Sequence, residues 1–273
     1  MKLSVITDEI SRDFITATEV LSELNIKDIE LRSFRSGRVP YISEEEEIEL
    51  RKYIERGNYK VHTISPAVGK LNIETVDLRE KTLQHLNDSI AFAKKFDIKN
   101  IIIFTFRKKN KKDINEIMPD YGWDIIEEIM EIGVQNQVNI LIENHSSCYV
   151  STMETMIDMV NSPRFKNILK LSWDPNNSYQ VDKKSYTEGL DTIMSTIRSI
   201  HVKDTVYRNN TEEVRLPLGE GMVGWDKIFE DLKRLKYNEM FCVETHYEPF
   251  FPNTLKDITN LRNYLKKYFD IVI

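Results

Sequence analysis

The sequence predicts an α/β fold, a parallel (β/α)8 barrel, and three observations predict it. Short apolar runs alternate with longer amphipathic stretches along the whole chain. Eight such runs can be traced, recurring about every 30 to 40 residues, the size of one βα unit. Several are apolar throughout, which is how strands covered on both faces read. A parallel sheet with a helix after each strand follows, and eight units close it into a barrel. The 273 residues suit one such domain, 1–273, because barrels of this kind run to about 250 residues. An open doubly wound sheet is the alternative, but no G-x-G-x-x-G follows the first run. The glycine-rich LGEGMVGW comes after the seventh and lacks that spacing.

The candidate strands are residues 3–7, 28–31, 60–64, 100–105, 138–143, 168–173, 197–202 and 240–244. NIIIFT and VNILIEN are the clearest, being rich in Ile and Val. Helical patterns lie between them. Ser43 followed by Glu46, and Ser151 followed by Glu154, have capping-box spacing. The acidic run Glu44–Glu47 suits the first turn of a helix over 44–57, with Gly57 as its stop. Leu83, Leu86, Ile90 and Ala93 repeat at helical spacing, as do Leu255, Ile258, Leu261 and Leu265.

Composition restricts the function classes. The formal net charge of −6 gives no long-range attraction for nucleic acid or an anionic membrane. The basic run at 108–112, KKNKK, reads as a solvated loop after the fourth strand. Cys148 and Cys242 sit in no C-x-x-C spacing, so neither a disulfide framework nor a zinc knuckle is expected. The start, MKLSVITDEI, lacks a leader-like apolar run, and no uncharged stretch has membrane-spanning length. A soluble cytoplasmic protein is expected.

In such a barrel the C-terminal strand ends line the active-site mouth. Four of them carry Glu143, Asp174, His201 and Glu244. Three carboxylates and an imidazole form a hard, oxygen-rich set that suits Mn²⁺ or Mg²⁺ and also accepts Co²⁺ or Zn²⁺. Burying three carboxylates together without a cation costs many kcal/mol or forces their pKa values upward. Each alone reads more readily as an ordinary strand-end polar group, bonded to backbone or paired with Lys203 or Arg107; four on successive strands favour a site.

LIENH, LSWDPNN, SIHVKD and CVETHYEP, in this order, resemble the xylose isomerase-like barrel superfamily. More narrowly they resemble its sugar phosphate isomerase/epimerase group, which also holds ketose 3-epimerases, inosose and dehydroshikimate dehydratases and apurinic endonucleases. The similarity runs from VITDEIS and IELRSF through PLGEGMVGW to the last strand. It implies that Glu143, Asp174, His201 and Glu244 bind one divalent cation, and that Glu143 and Glu244 move protons on opposite faces of the substrate. Removing the proton next to a carbonyl gives an enediolate. Return to the opposite face of that carbon epimerises it, and return to the neighbouring carbon, with a proton shift between the two oxygens, isomerises it. The resemblance also implies a homo-oligomer.

The sequence departs from the ketose 3-epimerase pattern. Asn177 stands where many relatives have histidine, Tyr207 where those epimerases have arginine, Tyr149 where they have a second acid, and Gly224 in place of an acid. The substrate is therefore read only as a small, sugar-like polyhydroxylated carbonyl compound. Candidate substrate contacts are His62, Lys203, Glu9, Asn177 and His246, each with a plainer alternative as a core, capping or ion-paired group. Arg32 and Arg107 read first as salt-bridge partners. A dehydratase on the same site is the second reading, with His62, His145 or His246 as the added acid. A phosphodiesterase needs more histidine ligands than five histidines offer, and a non-catalytic sugar-binding barrel does not need the full ligand set.

Overall fold

In the computed structural model, which describes residues 1–110, 113, 115–184, 188–209 and 212–271, the eight apolar runs become eight parallel strands. They are β1 (Lys2–Ile6), β2 (Asp28–Leu31), β3 (Lys60–Val68), β4 (Asn100–Ile103), β5 (Asn139–Glu143), β6 (Leu171–Trp173), β7 (Ile197–Val202) and β10 (Met240–Val243). They close in the order β1-β10-β7-β6-β5-β4-β3-β2, every neighbouring pair parallel. The helices that cover them are α1 (Phe14–Glu23), α2 (Glu44–Glu55), α3 (Leu78–Lys95), α4 (Asp120–Gln135), α5 (Met153–Asn161), α6 (Pro175–Asp182), α7 (Leu190–Ile193), α8 (Trp225–Arg234) and α9 (Phe250–Phe269). The sequence therefore folds as the (β/α)8 TIM barrel that its periodicity predicts.

The main core lies between strands and helices. Ile29, Leu31, Ile101, Ile103, Ile140 and Ile142 pack there against side chains such as Leu21, Leu86 and Ile129. Ile102 and Leu141 form a separate buried cluster with Phe104 and Cys148. Successive strand residues thus divide between two cores, as the alternation of a pleated strand requires.

Helix starts follow the capping chemistry, with one shift. Ser43 and Glu46 form the expected capping box at α2. At α5 the box is Thr152 with Thr155, one residue later than the Ser151–Glu154 spacing predicts. The Thr152 hydroxyl accepts from Thr155 N, and the Thr155 hydroxyl accepts from Thr152 N.

Two departures matter for the site. First, β3 does not stop at Ile64 but runs to Val68. Its register against β4 shifts between Ile64 and Val68, a bulge that accommodates Pro66. Second, a polar antiparallel hairpin, β8 (Asp204–Arg208) and β9 (Glu212–Leu216), rises after β7 before α8 begins. No apolar run announces it.

Asp204 ties the hairpin back to the barrel. Its buried carboxylate accepts hydrogen bonds from the backbone N–H of Thr205 (2.9 Å), Gly219 (2.9 Å), Gly221 (3.1 Å) and Val223 (3.2 Å). The segment PLGEGMVGW is therefore a cradle wrapped around one carboxylate. Trp225 then opens α8, buried, with its indole N–H donating to Lys203 O at 3.1 Å. A Cβ on Gly221 would fall 2.1 Å from Asp204 Oδ1. Gly221→Ala should cost about 2–4 kcal/mol of stability by breaking this cradle. Denaturant unfolding of wild type and variant reads the difference; equal midpoints would refute it.

Candidate active site

The cavity at the C-terminal end of the barrel has a volume of about 730 Å³, within the usual range for a small-molecule site. Glu143, Asn177, Lys203, Glu244 and His246 line it. Glu143, Asp174, His201 and Glu244 lie at its floor, all buried, and each offers one ligand atom within 4.8 Å of the others. The chain thus brings together the four groups read from its strand ends.

Local structure fixes each one. Asp174 ends the sixth strand unit and caps α6. Its Oδ1 accepts from Asn177 N at 2.9 Å, which leaves Oδ2 facing the cluster. Asn144 holds the same turn, accepting from Asp174 N at 2.8 Å and donating to Asp174 O at 2.8 Å. Asn177 Nδ2 donates to Glu143 Oε1 at 3.3 Å. The asparagine standing where many relatives carry histidine therefore orients the Glu143 carboxylate.

His201 is oriented from across the barrel. Its Nε2 lies 3.3 Å from the Glu30 carboxylate, and its Nδ1 faces Glu244 Oε2 at 3.2 Å and Glu143 Oε2 at 3.7 Å. Glu30 thus forms a carboxylate–histidine pair behind the ligand set, the arrangement that fixes ring orientation in metal sites. It was missed in the sequence because nothing in DIEL says what its glutamate meets across the barrel.

Cations balance this acidic floor. Lys203 Nζ spans Asp174 Oδ2 at 2.6 Å and Glu244 Oε2 at 2.8 Å. Arg32 reaches Asp8 at 2.9 Å, Glu9 at 2.6 Å and Glu244 Oε1 at 2.9 Å, and so is the salt-bridge partner its plain reading predicts. Burial pushes Glu143 up to about 7, the Glu244 and Asp174 charges add to this, and His201 and Lys203 oppose it. Burial pushes Glu244 upward too, but Lys203, His246 and His201 outweigh it and hold Glu244 well below the carboxylate range. Burial disfavours charge on His201, yet Glu30 and Glu143 raise it well above the usual value.

A divalent cation fits this arrangement. His201 Nδ1 and Asp174 Oδ2 are buried with no hydrogen bond of their own, and both face the cluster. Lys203 touches Asp174 Oδ2 as an ion contact and satisfies only part of the acidic set. The donors would suit a hard or borderline ion.

Two of the expected substrate contacts are placed elsewhere. His62 sits in the first half of the extended β3, its Nδ1 2.9 Å from Thr63 Oγ1, and does not line the cavity. It would end the strand only if β3 stopped at Ile64. Glu9 is fully buried behind the wall, where it accepts from Arg32 and from His246 N at 2.8 Å and lies 2.9 Å from His246 Nδ1. Burial would raise Glu9, but His246 and Arg32 bring it down to about 2. Glu9 does not cap α1; Asp13 does. His246 is the most exposed of the site residues. Arg107 lies outside the cavity wall. Tyr149, at the position of the missing second acid, faces away and donates to Glu116. Of the basic run, Lys111 and Lys112 lie outside the described residues.

Charged cavity residues that sequence reasoning missed are Arg12, Arg38, Lys70, Glu213 and Arg215. Each sits on a loop or on the hairpin, where no periodicity marks position.

Cation uptake should release protons, since a cation displaces the one on His201 at any pH near neutrality and the one on Glu143 below about 7. The number released should fall, and affinity for Mn²⁺ rise, as pH increases from 6 to 8. Calorimetry in buffers of different ionisation enthalpy measures both; no release at pH 6 would contradict the ligand set. Glu30→Gln should weaken Mn²⁺ binding about 10–100-fold.

Comparison with known proteins places the chain. The family described as xylose isomerase-like TIM barrel matches residues 19–268. A putative L-ribulose-5-phosphate 3-epimerase of Shigella dysenteriae serotype 1 is 26% identical over 184 residues, 64% of this chain and 59% of that one. The chain spans 64% and 59% of the lengths of the curated relatives it matches. Among solved structures, the IOLI protein with a bound zinc atom superposes with a TM-score of 0.82 at 19% identity, covering 99% of this chain and 100% of that one. The probable 3-DHS dehydratase AsbF of Bacillus anthracis gives 0.78 at 16% identity, covering 96% and 98%. No helix among the described residues is long and apolar enough to cross a membrane. With nearly the whole length matched, this chain belongs to the xylose isomerase-like TIM barrel family.

Proposed function

We propose that this chain is a divalent-cation-dependent isomerase or epimerase of a small polyhydroxylated carbonyl compound. One observation carries the reading: two carboxylates, Glu143 and Glu244, converge with Asp174 and His201 at the floor of a polar cavity of sugar size. The Shigella relative, described as a putative sugar-phosphate epimerase, supports it.

Glu143, Asp174, His201 and Glu244 would hold the cation. When bound, it would polarise a substrate carbonyl and make the neighbouring C–H more acidic. One glutamate then removes the proton attached to carbon. The electron pair moves onto the carbonyl oxygen, and the other glutamate returns a proton to carbon. Lys203, held between Asp174 and Glu244, places a fixed positive charge beside the developing oxyanion. Asn177 keeps Glu143 in position throughout.

A dehydratase is the second reading, and His145 favours it. Burial, with Lys70 and Lys203 nearby, pushes its pKa down to about 2, so the ring is neutral. Its Nδ1 accepts from Ser147 N at 3.2 Å, which puts the proton on Nε2. His145 lines the cavity, where its Nε2–H can hydrogen-bond a departing hydroxyl; the proton that makes it water comes from the glutamate that took the proton from carbon. AsbF, described as a probable dehydratase, shares the fold.

Incubating the Mn²⁺-loaded protein with ketoses, sugar phosphates and inosose-type ketones in D₂O should put deuterium on one carbon. Product structure separates epimerisation, isomerisation and dehydration. Glu143→Gln and Glu244→Gln should each slow exchange by about 10²–10⁴-fold. Exchange that persists in both variants would end this reading.

A further inference from the structure

The cavity wall formed after β2 and β3 has a charge imbalance of its own. The loop after β2 folds back, with Val39 N donating to Arg32 O at 3.1 Å. This turns Arg38 onto the end of β3, where Nε donates to Ser65 O at 2.7 Å and Nη2 to Ser65 Oγ at 3.0 Å. After the β3 bulge, Ala67 (φ 71°) and Gly69 (φ 76°) take left-handed conformations. A Cβ on Gly69 would lie 2.0 Å from Phe104 O, so the turn requires glycine. The next residue, Lys70, is thereby set into the wall, its Nζ 4.4 Å from the Phe104 ring centre.

Three other cations at this cavity have carboxylate partners, and a fourth, Arg12, is exposed to solvent. Arg32 has Asp8, Glu9 and Glu244; Lys203 has Asp174 and Glu244; Arg215 has Glu213. Among the described residues, neither Arg38 nor Lys70 forms an ion pair, and both are half-buried. Burial weakens the hold of each on its proton; Glu143 opposes this for both without touching either, and the neighbouring cation adds to it, Arg38 for Lys70 and Arg32 for Arg38. Like charges kept together with no carboxylate in contact are costly in the free protein and favourable once an anion arrives.

We infer that Arg38 and Lys70, with Ser65, form a phosphate-monoester subsite, so that the substrate of the proposed reaction is a sugar phosphate. The inference rests on that reading for the identity of the reacting end. A phosphate monoester carries a charge of about −2 near neutral pH and three acceptor oxygens. It matches a guanidinium and an ammonium together better than a carboxylate does. The acidic floor takes the carbonyl end, and this wall takes the phosphate.

The test compares affinities of the Mn²⁺-loaded protein for D-ribulose 5-phosphate, D-ribulose and the keto sugar acid D-tagaturonate by calorimetry, with inorganic phosphate as competitor. The phosphate ester should bind roughly tenfold or more tighter than either other sugar, and inorganic phosphate should displace it. Lys70→Met and Arg38→Gln should each remove most of that gain, leaving Mn²⁺ stoichiometry unchanged and the melting temperature equal or higher. No gain in the wild type, a gain that survives Lys70→Met, or an equal gain from the sugar acid overturns the subsite. Tight binding dependent on Lys70, with no deuterium entering any carbon, leaves the subsite standing and removes the proton-transfer reading. Exchange into D-ribulose without a phosphate gain does the reverse.

Discussion

Burying like charge at one end of a closed barrel is the constraint on which the site depends. Glu143, Asp174 and Glu244 lie at the cavity floor with little access to water. Carboxylates so close cannot all ionise without compensation. Lys203 and Arg32 reach in from two sides, and His201 from a third. This splits the two glutamates: Glu244, ringed by cations, stays ionised, whereas Glu143 lies near the neutral range. Two carboxylates pushed apart in this way are what an acid–base pair requires. A bound cation would complete the neutralisation and narrow the difference.

Outward from that floor, each support has its own support. Glu30 holds His201, Asn177 holds Glu143, Asn144 holds the turn that presents Asp174, and Glu9 holds Arg32 and His246. None of these four needs to touch substrate to matter. They fix side chains that would otherwise lose rotamer entropy on forming the site. Asp204 extends the same logic to the backbone, since one carboxylate satisfies four N–H groups of a loop with no regular structure.

The sequence exposes the strands and the four clustered residues Glu143, Asp174, His201 and Glu244 for one reason. A strand buried on both faces is a continuous apolar run, and its first polar residue marks the barrel rim. The same rule explains the failure at His62. Pro66 reads as a break, but the strand continues past it through a bulge, so its rim lies beyond Ile64. The hairpin of β8 and β9 escapes because its residues are polar and half exposed, with no face that must be buried. Glu30, Arg38, Lys70 and Arg215 escape for a different cause. Their neighbours come from distant strands or from left-handed turns, and local spacing carries no record of either.

That division also separates the strand ends from the loops around the mouth. Glu143, Asp174, His201 and Glu244 project from strand ends whose positions are set by the barrel's register. Residues that would contact the rest of the substrate stand on the loops after β2 and β3 and on the hairpin after β7. These segments carry little of the core and are free to change. The departures at Asn177, Tyr207 and Tyr149 follow the same line. Asn177 retains a structural duty on Glu143. Tyr207 and Tyr149 sit outside the cavity wall, beside Tyr179 and Glu116. A chain that lacks the arginine and acid of the ketose 3-epimerase pattern, yet places Arg38, Lys70 and Arg215 at the same mouth, pairs the same buried acidic floor with a different set of charges on its wall.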